Sequence, residues 1–384
     1  LSGELGDKEM KAVILPTSNI NFNKSFSTTN PEFLIPVVNK PIVEHLVELL
    51  EQHGVKEILM AVRDKVEETK NYFGSGERWG VKIKYYDVSL NEKSVSIFKQ
   101  NKEFLDQPFL CVPSNCITNL NIGHFVDSYK NSSGGMEISH TYKADSTLDY
   151  IPTYSDISYR EKSIFILDPV TIGFLNPDTD NDLKHMSEKC IQNHIHVNIF
   201  RSPHEYHVVE NIEDLWTIEQ KIIREGVDGI AIPGEERERG VWIGQSVSLH
   251  PTVKIEPPIL IGNFSKIGEG VRLKKGAVVG ENVVIDKNAS VDSASIWNDT
   301  YAGAYTEIKN CVISKDVLFS VSNHTTIQIS DPFILGANSV ENIFGFKYWL
   351  SKYLNPLRVL NQILSFLCRI GKLRRALSHA MALF

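Results

Sequence analysis

The sequence lacks any run of about 18 uncharged apolar residues, the length a helix needs to cross a bilayer, so no membrane-spanning segment is predicted. Cysteine is scarce. Cys111, Cys116, Cys190, Cys311 and Cys368 show neither paired metal-ligand spacing nor the density of a disulfide scaffold, so reduced thiols in a cytoplasmic protein are expected. There is no excess of basic residues: the formal charge is −7, which argues against a broad nucleic-acid-binding surface. No signal peptide is recognised at the start, and Leu1 to Glu9, ahead of Met10, are expected to be an appended remnant. What remains is an ordinary globular composition, 42% hydrophobic and 23% charged over 384 residues, enough for two domains of typical size.

Residues 10–228 alternate strand-like and helix-like segments. Lys11–Leu15, Ile58–Val62 and Phe109–Val112 are short apolar runs suited to buried parallel strands, and Val81–Tyr85 alternates in polarity as a strand does. Between them, Ile42, Leu46, Leu49 and Leu50 recur at helical spacing before Gly54, and Lys65–Phe73 reads as a second helix. That rhythm predicts an α/β fold with a parallel-dominated sheet. Ligands on such sheets sit beyond the carboxyl ends of the strands, which directs attention to the loops after Leu15 and Val112.

A different period governs residues 238–330. Apolar residues recur every six positions at Ile243, Leu249, Ile255, Ile261, Ile267, Leu273, Val279, Ile285, Val291 and Trp297. Small or β-branched residues often follow four places later, as at Val247, Val253, Ile259, Val271 and Val283. Neither a helix nor a flat strand has a period of six; a hexapeptide repeat predicts a left-handed parallel β-helix of about three coils. Gly244, Gly262, Gly268 and Gly280 follow inward residues, where a tight corner would need permissive backbone angles.

Residues 342–384 contain no acid, while Lys347, Lys352, Arg358, Arg369, Lys372, Arg374 and Arg375 contribute +7, leaving −14 on residues 1–341. With Trp349 among its aromatics and Leu357, Leu360, Leu364 and Leu367 at three- and four-residue steps, this segment predicts a pair of basic amphipathic helices around Pro356. Three fates suit such a stripe: an anionic membrane surface, a groove on a partner protein, or the chain's own core.

An α/β domain followed by hexapeptide coils resembles the sugar-nucleotide pyrophosphorylases, most closely the mannose-1-phosphate guanylyltransferases. The resemblance runs in register through Lys11–Leu15, Ile35–Pro41, Val43–Leu46 and Tyr72–Gly76, resumes at Gln107–Leu110, and returns over Val241–Val317, covering about two-thirds of the chain. It implies a Rossmann-like nucleotidyltransferase domain that condenses a nucleoside triphosphate with a sugar 1-phosphate and releases pyrophosphate. The negatively charged transition state of that reaction calls for backbone donors, cations and carboxylates that hold Mg²⁺.

The resemblance fails where that chemistry would be done. The family's Gly-rich loop with its arginine falls on Pro16–Asn23, which has neither glycine nor arginine; Leu15, Pro16, Thr17, Ser18 and Asn19 are its remnant, and Lys24 is the nearest cation. The family's PKP lysine falls on Glu32, and its LGTAG turn on Asn91–Val95. The metal-binding aspartate falls on Asn115, the FxEKP and NAG sequences are absent, and the second aspartate falls near Val208. Losing one transition-state donor typically costs about 10²–10³ in rate. Five losses on one site predict a degenerate homologue, with no cofactor, serving as a binding, regulatory or scaffold protein in sugar-nucleotide or envelope polysaccharide synthesis. It would work at the inner face of the membrane beside a glycosyltransferase or an active pyrophosphorylase, as a homo-oligomer with no nucleic-acid partner. The competing expectation is an active guanylyltransferase with rearranged ligands, Lys24, Asp87, Asn115 and Glu210, that uses Mg²⁺.

Two other constellations point to blander roles. His194 and His196, expected on one strand face, with His204 and His207, make a sequence cluster without a convergent set of zinc ligands. His250 and His324 are candidates for an acyltransferase histidine between coils, but no extruded loop accompanies them. Cys111 is expected to be a buried thiol, Cys116 a loop thiol, and Gly134, Gly135 and Gly303 turn residues.

Overall fold

The computed structural model describes residues 10–17, 31–89, 91–132, 134–141 and 163–338. Ser18, Asn19, Lys24, Cys368 and the basic segment 342–384 lie outside the described residues.

Buried apolar runs make the strands, and amphipathic runs the helices that cover them. The chain forms β1 (Lys11–Leu15), a short pair β2 (Pro36–Val37) and β3 (Lys40–Pro41), α1 (Ile42–Gln52), β4 (Glu57–Val62), α2 (Val66–Phe73) and β5 (Lys82–Asp87). There follow α3 (Ser94–Gln100), β6 (Phe109–Pro113), β7 (Cys116–Thr118), α4 (Ile122–Asn131), β8 (Met136–Thr141) and β9 (Phe165–Leu167). The domain is completed by α5 (Pro169–Ile172), α6 (Leu183–Gln192), β10 (Val197–Ser202), β11 (Tyr206–Val208) and α7 (Ile212–Glu225). Seven strands make one sheet in the order β10-β8-β9-β6-β1-β4-β5. Only β9 runs against its neighbours, pairing antiparallel with both β6 and β8. The parallel pairs β1–β4, β1–β6 and β4–β5 bring Leu15, Val62 and Pro113 to one edge, the floor of a cleft.

From Val241 onward, short strands stack into three sheets that the chain visits in rotation, all parallel until the last hairpins. The residues at six-residue spacing face a common interior: Ile243, Ile261, Ile267, Leu273, Val279, Ile285 and Val291 are buried in one cluster, with Leu249 and Ile255 packed against it. The period then changes. Val279 pairs with Ile296 rather than with Trp297, because one residue is missing from the corner after Val291. Trp297 therefore does not line the coil interior as the six-residue spacing predicts; it joins the cluster shared with the α/β domain.

The coil glycines also act differently from the sequence expectation. Gly244, Gly262, Gly268 and Gly280 are absent from the positive-φ glycines, and the left-handed corners are instead taken by Ser246, Phe264, Asn282 and Asp299. The glycines are needed for close stacking. A Cβ on Gly262 would lie 2.5 Å from the carbonyl carbon of Gly280 and 2.6 Å from its oxygen, both backbone atoms of the next coil. Gly262→Ala is accordingly expected to destabilise the protein by about 2 kcal/mol, as overpacking of a rigid neighbour does, and urea unfolding would measure it.

One coil sheet turns an outer face, Leu260, Val278 and Val312, into the core cluster of the α/β domain. Helix α7, started by a reciprocal Asn211–Asp214 capping box, lies across this junction. Trp216 Nε1 donates to the Ser293 carbonyl, Gln220 to the Gly276 carbonyl, and Asn39, from the β2–β3 turn, to the Val279 carbonyl. Glu219 is buried there: Oε1 accepts from the Val38 N–H at 2.9 Å, while Oε2 has no hydrogen-bond partner. Among the described residues, no helix is long and apolar enough to cross a membrane.

Candidate functional site

A cleft of about 670 Å³ opens at the carboxyl edge of the sheet. Leu15, Pro16 and Thr17 follow β1, Arg63 follows β4, and Pro113 ends β6. Ser163 and Phe165 come from the amino end of antiparallel β9, Asn91 to Ser94 from the start of α3, and Asn181, Asp182, Leu183 and Met186 from the start of α6. This is where an open α/β sheet places a ligand.

Behind Thr17, and outside the residues that line the cleft, a buried polar network is built on Glu32. The Glu32 Oε1 accepts from the Thr17 N–H at 2.8 Å, from the Thr17 hydroxyl at 3.0 Å, and from the Ser114 hydroxyl. Desolvation pushes the Glu32 carboxyl above its ordinary pKa, and these hydrogen bonds and the Arg63 guanidinium pull it back only in part. Arg63 spans the cleft wall, donating from Nη1 to the Thr17 carbonyl and from Nη2 to the Glu92 carbonyl. Asp182 accepts from the His185 N–H at 2.8 Å as the N-cap of α6 and also pairs with the His185 ring.

Asn115 is almost wholly buried, at 1% exposure. Its amide nitrogen donates to the Val209 carbonyl at 2.9 Å, and its Oδ1 has no hydrogen-bond partner. Asp87 ends β5, paired with Val62, and does not line the cleft. Glu210 is exposed beside the start of α7, where its N–H donates to Asp214 Oδ2. The structure thus brings Leu15, Pro16 and Thr17 to the cleft, while Asp87, Asn115 and Glu210 are not among its lining residues. Sequence reasoning missed Arg63, whose place directly after a buried strand was a usable signal, and the α6 residues, which gave none.

The chemistry of a nucleotidyl transfer implies Mg²⁺, a hard cation that takes near-octahedral oxygen ligands including carboxylates. Asn115 offers one neutral amide oxygen, Val208 none from its side chain, and Glu32 Oε1 already accepts from three donors. These residues do not fit the ion. Among the described residues, no group of three or more His, Cys, Asp or Glu could hold a metal. His194 and His196 do not share a strand face: His194 sits in a left-handed turn and β10 begins only at Val197. His207 Nε2 is instead 2.9 Å from Glu205, which Lys221 also engages. Cys111 is buried as expected, whereas Cys116 lies buried in β7 rather than in a loop, and burial pushes its thiol up to about 12.

The Nucleotidyl transferase family model matches residues 25–148. A UTP–glucose-1-phosphate uridylyltransferase of Synechocystis is 24% identical over 327 residues, 77% of this chain and 84% of that protein. A D-glycero-alpha-D-manno-heptose 1-phosphate guanylyltransferase of Campylobacter jejuni is 38% identical over 76 residues, 20% of this chain and 34% of its own length. A Bacillus anthracis crystal structure, described as a candidate glucose-1-phosphate thymidylyltransferase, superposes with a TM-score of 0.45 at 13% identity over 55% of this chain and 93% of that one. Residues 25–148 are thus similar to the nucleotidyl transferase family, and the two relatives named here are sugar-phosphate nucleotidyltransferases.

Proposed function

We propose that this chain is a non-catalytic sugar-nucleotidyltransferase homologue that works by binding, as a regulatory or scaffold protein in sugar-nucleotide or envelope polysaccharide synthesis. In this reading residues 10–228 are the nucleotidyltransferase-like domain, residues 238–330 a left-handed β-helix, and residues 342–384 a tail that docks on a membrane or a partner. The observation that carries the reading is the buried amide of Asn115, which donates to the Val209 carbonyl. The position is built around a donor, and a metal-binding carboxylate has none to give. The family match beginning at residue 25, well past the end of β1, supports the same reading: it leaves out the stretch after β1 where the phosphate loop would lie.

Pyrophosphorolysis tests the reading, with UDP-glucose, GDP-mannose and other NDP-sugars, radiolabelled pyrophosphate and Mg²⁺. No turnover above a protein-free control is expected. Rates of about 1–10³ s⁻¹, ordinary for enzymes, would refute it and favour the active guanylyltransferase or uridylyltransferase.

A further inference from the structure

A single peptide unit at the junction with the coils is gripped from both sides. β2 and β3 are joined by a two-residue turn, Val38–Asn39, with φ of 45° and 61°. A tight hairpin needs such angles, but a β-branched residue adopts them only under steric strain, which persists where neighbours hold the backbone in place. Here they do. The Val37 carbonyl lies 3.1 Å from His45 Nε2, and the Val38 N–H of the same peptide donates to Glu219 Oε1 at 2.9 Å. Because a carbonyl only accepts, Nε2 of His45 carries the proton. Asn39, the next residue, donates to the Val279 carbonyl of the coils. One strained turn thus meets α1, α7 and the coils together.

Glu219 has no counter-ion among the described residues. Its Oε2 has no hydrogen-bond partner, and neither has the nearby hydroxyl of Ser295 in the coils. The residues one turn away on α7 are Leu215, Trp216, Ile222 and Ile223, and the coil strand 311–314 turns Val312 toward the junction. The charged groups of the packed elements are engaged elsewhere: Lys40 with Glu48, Glu44 with Tyr72 and Trp79, Arg224 with Gln220 and Ser293. Burial, and after it the Lys40 cation, push His45 down to about 4, so it stays neutral near neutral pH. Burial pushes Glu219 up to about 7, which makes it the group of this cluster that changes charge there. A carboxylate in so dry and unpaired a place is costly, and hydration relieves the cost.

We propose that Glu219 is a pH-sensitive latch between the α/β domain and the coils: with its proton it seals the junction, and without it the Val38–Asn39 turn lets go and water reaches the carboxylate. The latch holds below about 7 and is released as the pH rises through that value, the direction set by a carboxyl whose pKa is raised in the folded chain. Relaxation of the strained turn favours the released state. The latch is independent of whether the cleft is catalytic.

Hydrogen exchange read by mass spectrometry tests it, on the full chain and on Glu219→Gln at pH 6 and pH 8.5. Exchange of the turn, residues 36–41, is divided by that of the buried strand β6 at the same pH, which cancels the intrinsic pH dependence of exchange. In the unaltered chain this ratio is expected to rise about tenfold or more between the two pH values, because a local opening frees the turn and leaves β6 closed. Glu219→Gln keeps an oxygen for the Val38 N–H and has nothing to ionise, so its ratio is expected to stay constant. Circular dichroism establishes that the variant is folded, and if it is not, Glu219→Met decides in its place. A constant ratio in the unaltered chain would overturn the proposal, as would an equal rise in the variant. Parallel loss of protection in the turn and in β6 keeps the ratio constant and overturns it too, since ionisation would then destabilise the whole chain without opening the junction.

Discussion

Glutamine in place of Glu219 is expected to stabilise the protein by about 3 kcal/mol at pH 8 and by little at pH 5. Burial pushes the Glu219 carboxyl from 4.5 to about 7, and the Val38 N–H pulls it back only in part. The folded protein thus holds this proton more tightly than the unfolded chain does between pH 4.5 and about 7. Stability from this group is full below that window, falls as the pH rises through it, and is level above it. Each pKa unit is worth about 1.4 kcal/mol, which gives the figure of about 3. Glutamine keeps an oxygen for the Val38 N–H and places an N–H₂ beside Ser295, with nothing to ionise. Urea unfolding of both proteins at pH 5 and pH 8 measures the difference, and contributions from every other group cancel between them. Parallel pH profiles would mean that Glu219 stays ionised or hydrated at the junction.

Asn115→Asp is expected to cost about 3 kcal/mol at neutral pH and to recover none of it with Mg²⁺. The substitution removes the donor to the Val209 carbonyl and sets a carboxylate oxygen against that acceptor in a buried place. A buried acceptor left unpartnered costs about 1–3 kcal/mol, and more when the new group is charged. With no second carboxylate positioned to share a cation, millimolar Mg²⁺ gives the variant no compensation. Thermal melting with and without Mg²⁺ measures both parts, and a Mg²⁺-dependent recovery specific to the variant would mean that a metal site survives there.

Much of the architecture was legible because burial leaves a period. The strands at Lys11–Leu15, Glu57–Val62 and Phe109–Pro113 are apolar beyond the leading Lys11 and Glu57, where helices cover both faces, and the six-residue spacing follows from one inward residue per coil face. The spacing misled at Trp297, because a one-residue deletion at a corner is invisible when an apolar residue stands on either side of it. It misled on the glycines too: the pattern shows that a Cβ is excluded, but backbone angle and coil stacking exclude it equally. The edge of the sheet where ligands sit followed from strand order alone. Glu32 could be read only as a reversed charge, since its partner Ser114 lies 82 residues away and their meeting depends on how the ends of β1 and β6 converge. The contribution of Asn181 to Met186 is a matter of helix placement, which no local pattern carries.

The most direct measurement is of the cation that nucleotidyl transfer demands. Mn²⁺ mixed with UTP or GTP has a paramagnetic resonance spectrum that changes when the complex is immobilised on a protein. Addition of this protein at a concentration above that of the metal is expected to leave the spectrum of Mn²⁺–nucleotide unaltered. A new immobilised signal that saturates at one ion per chain would contradict the account, since it would show a divalent ion and a triphosphate held together in a cleft whose oxygens are neutral or already engaged.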